Sequence, residues 1–412
     1  MRKKGIRAGL PVILICLLVA ISAASCGKSP QNAGKADPAN PPAGDISTLP
    51  PEDASPDVSE DAPPEATTPP PAPEPELFEY DGVVEHIFFH EVIAWPELAF
   101  DGDSMQSGYN NNMVTVTEFT KILESLHKND YILVNLNDVW SEYTNKDGER
   151  RMMKNTLMLP EDKKPLILSF DDLSFYKYML KDGFMEKYFI GEDGDIWAIG
   201  FDPSGKQVIS QDLTVVTILD KFVKAHPDFS LGGAKGCIAF TGYEGILGYR
   251  THIDKKNDTE QSKVNRIQEI TRVRPVVKRL KETGWYFATH SYGHIDIASS
   301  SLETVKEDAN RWIEEVGSLV GETKIFIYPY GSRLDNGDVY ETGPALKYYH
   351  SLGFRIFASV GPRPFSRIKP DISAVMMDRM NSDGYTLRNP DARERFLRFY
   401  DSNDIIDPRR PA

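Results

Sequence analysis

From residue 80 onward, short apolar runs alternate with stretches of helical spacing, and no other property restricts the fold as strongly. The run at 83–89 reads as a strand. Residues 116–128 place Phe119, Ile122, Leu123 and Leu126 on one helical face, with Thr117 as the expected N-cap. Further strands are expected at 131–134, 166–170, 236–240, 285–288, 324–327 and 354–357. Helices are expected at 262–282 (interrupted near Pro275), 301–319 and 344–351. Strands alternating with helices imply a mainly parallel sheet or barrel. Residues 185–235 break the rhythm. Their turn residues flank Trp197 to Phe201 and predict a β-hairpin insertion, either a wall of a substrate cleft or a passive excursion.

The N-terminal part is of different material. Arg2, Lys3, Lys4 and Arg7 precede an apolar run from Leu10 to Ile21, and Ser22, Ala23, Ala24 and Ser25 follow. This is the layout of a secretory signal over residues 1–25, and the run is short for a permanent membrane span. Cys26, directly after the small residues, makes the segment similar to a bacterial lipoprotein signal. That resemblance implies lipidation of Cys26 and a location on the outer face of the cell membrane. The plainer alternative is cleavage with a free Cys26. Acyl chains gain about 0.8 kcal/mol per buried methylene, so several chains on one cysteine hold firmly.

Residues 26–79 read as a disordered tether. Fourteen of the 29 prolines lie between 27 and 79, with almost no large apolar residue before Leu77, so ordering entropy is not offset by burial. In polyproline form the tether would reach on the order of 150 Å. The folded domain is expected over 80–412. Cys16 belongs to the signal and Cys26 to the lipid, so Cys237 alone remains and no intrachain disulfide is expected. The formal charge of −14 argues against nucleic acid or an anionic membrane surface as a partner.

Four polar clusters each follow an apolar strand: His90; Asp171 with Asp172; His290 with His294; and Tyr328-Pro329-Tyr330-Gly331. In parallel α/β folds, sites assemble at the carboxyl ends of strands. Histidines at i and i+4 can face one metal ion, for which neutral imidazole is a good ligand, and Asp172 can supply a third ligand. Adjacent carboxylates within a strand point to opposite faces. At a strand end the chain turns, and both can reach one site in different roles. Taken alone, the Asp-Asp pair also fits a solvated acidic turn, and the histidine pair fits a site without metal.

Ser169-Phe170-Asp171-Asp172 resembles the first motif of the NodB-homology polysaccharide deacetylases, a metal-dependent carbohydrate esterase family. His290-Ser291-Tyr292-Gly293-His294 resembles the second motif, and Tyr328-Pro329-Tyr330-Gly331 the third. The resemblance covers roughly residues 83–380. It implies a distorted (β/α) barrel, here with the hairpin insertion and preceded by the tether. It further implies that Asp172, His290 and His294 hold a divalent ion, with Zn2+ expected first, although ligand type alone does not separate zinc from cobalt, nickel or iron. Asp171 becomes the general base. Tyr328, Pro329 and Tyr330 line the substrate groove, with an oxyanion donor at the Tyr330 amide.

Two departures from the family pattern carry expectations of their own. No Leu-x-His segment follows Gly331; the only later histidine is His350, in a helical stretch. Instead His90 ends the first strand, as in the circularly permuted branch that includes the biofilm poly-N-acetylglucosamine deacetylases. His90 is therefore the expected acid, and His86, deeper on the same strand, ranks second. The arginine before the third motif's Pro-Tyr is replaced here by Ile327 and Tyr328. Arg379, expected just after a final apolar strand, could supply the guanidinium; its other reading is a surface residue.

The resemblance implies N-deacetylation of an N-acetylglucosamine-containing surface polysaccharide. Peptidoglycan, an exported polymer and chitin-like fragments all stay open. Two alternatives stand beside it: a silent glycan-binding lipoprotein, which the missing arginine and the absent C-terminal histidine favour and His90 opposes, and an O-acetyl esterase on wall sugars. The segment 232–250 looks like a loop near the site, without an assigned role.

Overall fold

The computed structural model describes residues 75–332 and 343–411. The expected signal, Cys26 and nearly all of the expected tether lie outside the described residues. The strand Leu77–Tyr80 pairs antiparallel with Leu157–Pro160.

Among the described residues, the central sheet has nine strands, eight of them parallel: β1 (Glu85–Phe89), β2 (Tyr131–Leu133), β3 (Lys164–Asp171), β4 (Gly236–Phe240), β5 (Tyr286–Thr289), β6 (Ile325–Ile327), β7 (Ile356–Val360) and β8 (Ala374–Asn381). Seven of them close into a parallel barrel in the order β1-β3-β4-β5-β6-β7-β8, with β8 returning to β1. The eighth, β2, pairs with the first residues of β3 (Lys164 to Leu166), while β4 pairs with its last four. The barrel is thus distorted at its amino end. An antiparallel strand, Phe365–Lys369, folds back onto β8.

The strands are apolar on both faces because both faces are covered. Ile167, Cys237, Ala239, Ala288, Ile327 and Ala358 belong to one cluster inside the barrel. The alternate residues, among them Ile87, Phe89, Leu168, Phe170 and Phe240, pack under the surrounding helices. Cysteine and alanine at several inward positions suit the narrow interior of a small barrel.

Helices α1 (Val116–Lys128), α2 (Val215–Ala225), α3 (Glu260–Glu282), α4 (Leu302–Trp312) and α5 (Pro344–Ser351) supply much of the outer layer. The cap of α1 is Thr115, not the expected Thr117. Its side chain accepts from the Glu118 amide, and the Glu118 carboxylate accepts from the Thr115 amide, a capping box that closes two orphan donors. Helix α3 runs through Pro275 instead of stopping there, because Val273, Val276, Val277 and Leu280 on either side of it are buried. The predicted helix at 301–319 is α4 followed by a π-turn, Ile313–Gly317.

The insertion is a three-stranded antiparallel meander, Lys187–Ile190, Ile196–Phe201 and Gln207–Ser210, rather than a hairpin. Its third strand is short and half polar, which hid it from an apolar-run reading. Helix α2, inside the same stretch, belongs to the outer helical layer. Glu91, just after β1, ties these parts together. Its buried carboxylate accepts from the amides of Val92 and Val215 and from the Tyr188 hydroxyl. Burial outweighs those bonds and lifts its pKa to about 7. The segment after β4 takes part too: Leu247 O accepts from the Tyr188 amide, and the Tyr249 hydroxyl donates to Tyr188 O.

Candidate active site

Three potential ligands converge at the carboxyl end of the barrel. Asp172 follows β3, while His290 and His294 follow β5. One ligand atom from each lies within 4.8 Å of those of the others, and His294 Nε2 stands 3.5 Å from Asp172 Oδ2. The loop has to turn sharply to bring them in, and Asp172, Ser291, His294 and Tyr330 all adopt positive φ. Strain of that kind gathers at functional sites. His290 is buried, with Nδ1 2.9 Å from Ile327 O. A carbonyl only accepts, so Nδ1 carries the proton and Nε2 presents its lone pair, the arrangement a ligating histidine needs. Burial holds the His290 pKa down at about 4, against the opposing pull of Asp171 and Asp172. Two neutral imidazoles and a carboxylate suit a divalent ion such as zinc.

Asp171 ends β3 beside them, with Oδ2 3.8 Å from His290 Nε2. The fully buried Arg379 grips it with both arms, Nη1 to Oδ1 at 2.7 Å and Nη2 to Oδ2 at 3.0 Å. Burial alone would raise the Asp171 pKa; Arg379, and secondarily His290, overcome this and hold it at about 2. Arg379 sits within β8 rather than after it, and it is not a surface residue. Its guanidinium stacks on Phe88 at 4.1 Å and donates to Ser169 Oγ at 3.1 Å. A guanidinium satisfies a carboxylate best in this forked geometry. The arginine absent from the third motif is thus present in space, two strands away in the barrel order.

His86 lies beneath this layer, buried, with Nε2 2.9 Å from Ser169 Oγ. Burial, reinforced by Arg379, pushes its pKa well down, so it is held neutral and is a poor acid. His90 is partly exposed at the rim, and its Nδ1 lies 3.0 Å from Asn112 O. That carbonyl fixes Nδ1 as a donor and leaves Nε2 for proton exchange. The charges of both Asp171 and Asp172 feel His90.

The third motif divides. Tyr330 is 58% exposed, with its ring 4.5 Å from that of His294. Pro329 is buried. Tyr328 is buried as well, and its amide donates to Ala358 O. Its side chain therefore packs in the wall rather than facing a groove, because it follows β6 directly and continues the strand's alternation into the helical layer.

Residues 253–355 match the family described as polysaccharide deacetylase. Over that stretch the chain is similar to polysaccharide deacetylases. The matched stretch contains His290, His294 and the segment 328–331; Asp171, Asp172, His90 and Arg379 lie outside it and join through the barrel. No curated protein matched the sequence. Among solved structures, the chain is similar to a Streptococcus pyogenes deacetylase in complex with acetate, at 11% identity and TM-score 0.41, covering 74% of this chain and 94% of that one. It is also similar to a Bacillus cereus polysaccharide deacetylase, at 11% identity and TM-score 0.39, covering 78% and 69%.

Sequence reading missed two residues of the candidate site. Asp308 on α4 accepts from the amides of Tyr292 and Gly293, each at 2.7 Å, and so clamps the loop between the paired histidines. The signal was available: Asp308 shares the apolar face with Val305, Ala309 and Trp312, where a carboxylate needs a reason. Tyr176 donates to Asp172 Oδ1 at 2.6 Å and orients that carboxylate. Asp308→Ala is expected to weaken divalent-ion affinity by roughly 10–100-fold, as loss of an orienting partner does. Competition titration against a chelator measures it, and unchanged affinity would show that the loop holds its shape unaided.

Proposed function

We propose that this protein is a polysaccharide deacetylase that removes N-acetyl groups from an N-acetylglucosamine-containing polysaccharide at the bacterial cell surface, with a divalent ion, zinc first, held by Asp172, His290 and His294. The observation that carries the reading is the Arg379–Asp171 fork beside the ligand trio. It keeps a carboxylate ionised and aimed where a water would attack.

A bound divalent ion supplies Lewis-acid polarisation of the acetyl carbonyl and makes water more acidic. Asp171 takes the proton of the attacking water; each of its oxygens keeps a lone pair beyond the one Arg379 occupies. His90, oriented by the Asn112 carbonyl, donates a proton to the departing amine, without which amine expulsion is slow. The Tyr330 amide is the proposed oxyanion donor. His90 directly after the first barrel strand supports a circularly permuted order of the family's elements. The Arg379 pairing removes one of the two grounds on which a silent binding protein was favoured, the missing arginine. The expected signal over 1–25, lipid on Cys26 and the proline-rich tether together support a cell-surface location, anchored through lipid alone.

The test is acetate release from N-acetylglucosamine oligomers and from O-acetylated xylan, before and after chelation and Zn2+ return. Release from the amide substrate that chelator abolishes and zinc restores is expected. Release from the ester alone would replace the amidase reading with an esterase, and release from neither would end the hydrolase reading.

A further inference from the structure

A second group of metal-type side chains lies far from the catalytic one. His127 sits in the last turn of α1, His226 caps the end of α2, and Asp228 lies in the short Pro227–Phe229 turn that follows. One ligand atom from each comes within 4.8 Å of the others. His127 leads into β2 and His226 into β4, so the group is at the amino end of the barrel strands, opposite the Asp172 site.

We propose that His127, His226 and Asp228 form a second divalent-metal site, of the zinc or nickel type, that clasps α1 to α2. Two imidazoles with one carboxylate are a borderline donor set suited to such ions. The imidazole rings are 4.5 Å apart between centroids, a spacing that two protonated histidines would oppose and that two neutral ligands accept. The His226 ring nitrogens make no hydrogen bond among the described residues, although Phe222 packs against the ring at 4.6 Å and fixes its position. His127 Nε2 contacts both Asp228 oxygens, at 2.9 and 3.1 Å. Asp228 Oδ2 also accepts from Lys163 at 3.0 Å, which leaves Oδ1 better placed to ligate. The Asp228 side chain is 58% exposed, so water can complete the coordination. The ordinary competitor is a simple His127–Asp228 ion pair at a helix C-terminus, favoured by the helix dipole; it gives no place to His226.

Metal-stripped full-length protein is equilibrated with Zn2+, and bound metal is counted. The parent is expected to hold two ions per chain, Asp172→Ala one, His226→Ala one, and the double variant none. Zn2+ should raise the melting temperature of Asp172→Ala and leave that of the double variant unmoved. His226→Gln repeats the loss with a side chain of similar polarity, and equal melting of the metal-free variants shows that the fold is kept. The proposal is overturned if His226→Ala and His226→Gln hold as many ions as the parent, or if the parent holds a single ion that Asp172→Ala removes. Failure of the catalytic reading registers in the Asp172 variant instead, so the two are distinguishable.

Discussion

Asp171→Asn is expected to keep the divalent ion and lose roughly 10²–10⁴-fold in kcat, the range general acid–base groups contribute. The ion's proposed ligands, Asp172, His290 and His294, are untouched by the change. The amide cannot take a proton at neutral pH, so the attacking water loses its base. Asparagine also removes the charge that balances the fully buried Arg379. One acceptor oxygen remains for the fork, so the accompanying loss of stability should fall at or below the low end of the ~3–5 kcal/mol seen when a buried pair loses a partner. Steady-state kinetics with metal counting separates the two effects. Full turnover in Asp171→Asn would move the base elsewhere.

Arg379→Met should give the largest loss of stability, about 3–5 kcal/mol, because it strands a carboxylate in a dry layer. Urea unfolding measures it. The same variant tests electrostatics. In the parent, Asp171 is held at about 2, so the proposed base is ionised throughout the working range. The stability it contributes is present above its ordinary 3.8 and is lost as pH falls toward 2. His290 is also depressed, from 6.5 to about 4. Its contribution is complete above 6.5 and is lost as pH falls from there toward 4, so acid destabilisation begins with the histidine. Without the guanidinium, burial acts unopposed by its strongest partner and the Asp171 pKa rises. The acid limb of kcat/KM should then move to higher pH in Arg379→Met. Arg379→Lys keeps the charge and loses the fork, so an intermediate limb is expected. A parent-like pH profile together with parent-like stability would remove Arg379 from the site's electrostatics.

The barrel was legible because its strands are buried on two sides and read as continuous apolar runs; Gly236–Phe240 and Pro344–Ser351 fall where the sequence places them. The elements that escaped are those whose stability comes from pairing instead of apolar content. The strand Gln207–Ser210 is such a case, as are the hairpin strands Trp140–Thr144 and Arg150–Lys154. Pro275 misled in the other direction, since burial on both sides of it overrides the local break.

By itself the sequence determined the chemistry available: an acidic pair and a histidine pair, each at a strand end, in an alternating β/α chain. Those features are local, so spacing and composition reveal them. Only the tertiary structure decided which distant groups meet them. Closing the barrel brings β8 against β1 and β1 against β3, and this places Arg379 on Asp171 across 208 positions of chain. It also sets Asp308 under the histidine loop and puts His86 in the dry layer while His90 stays at the rim. The physical reason is that strand pairing and inward alternation fix which side chains share a layer, and neither register nor closure is written in any one segment.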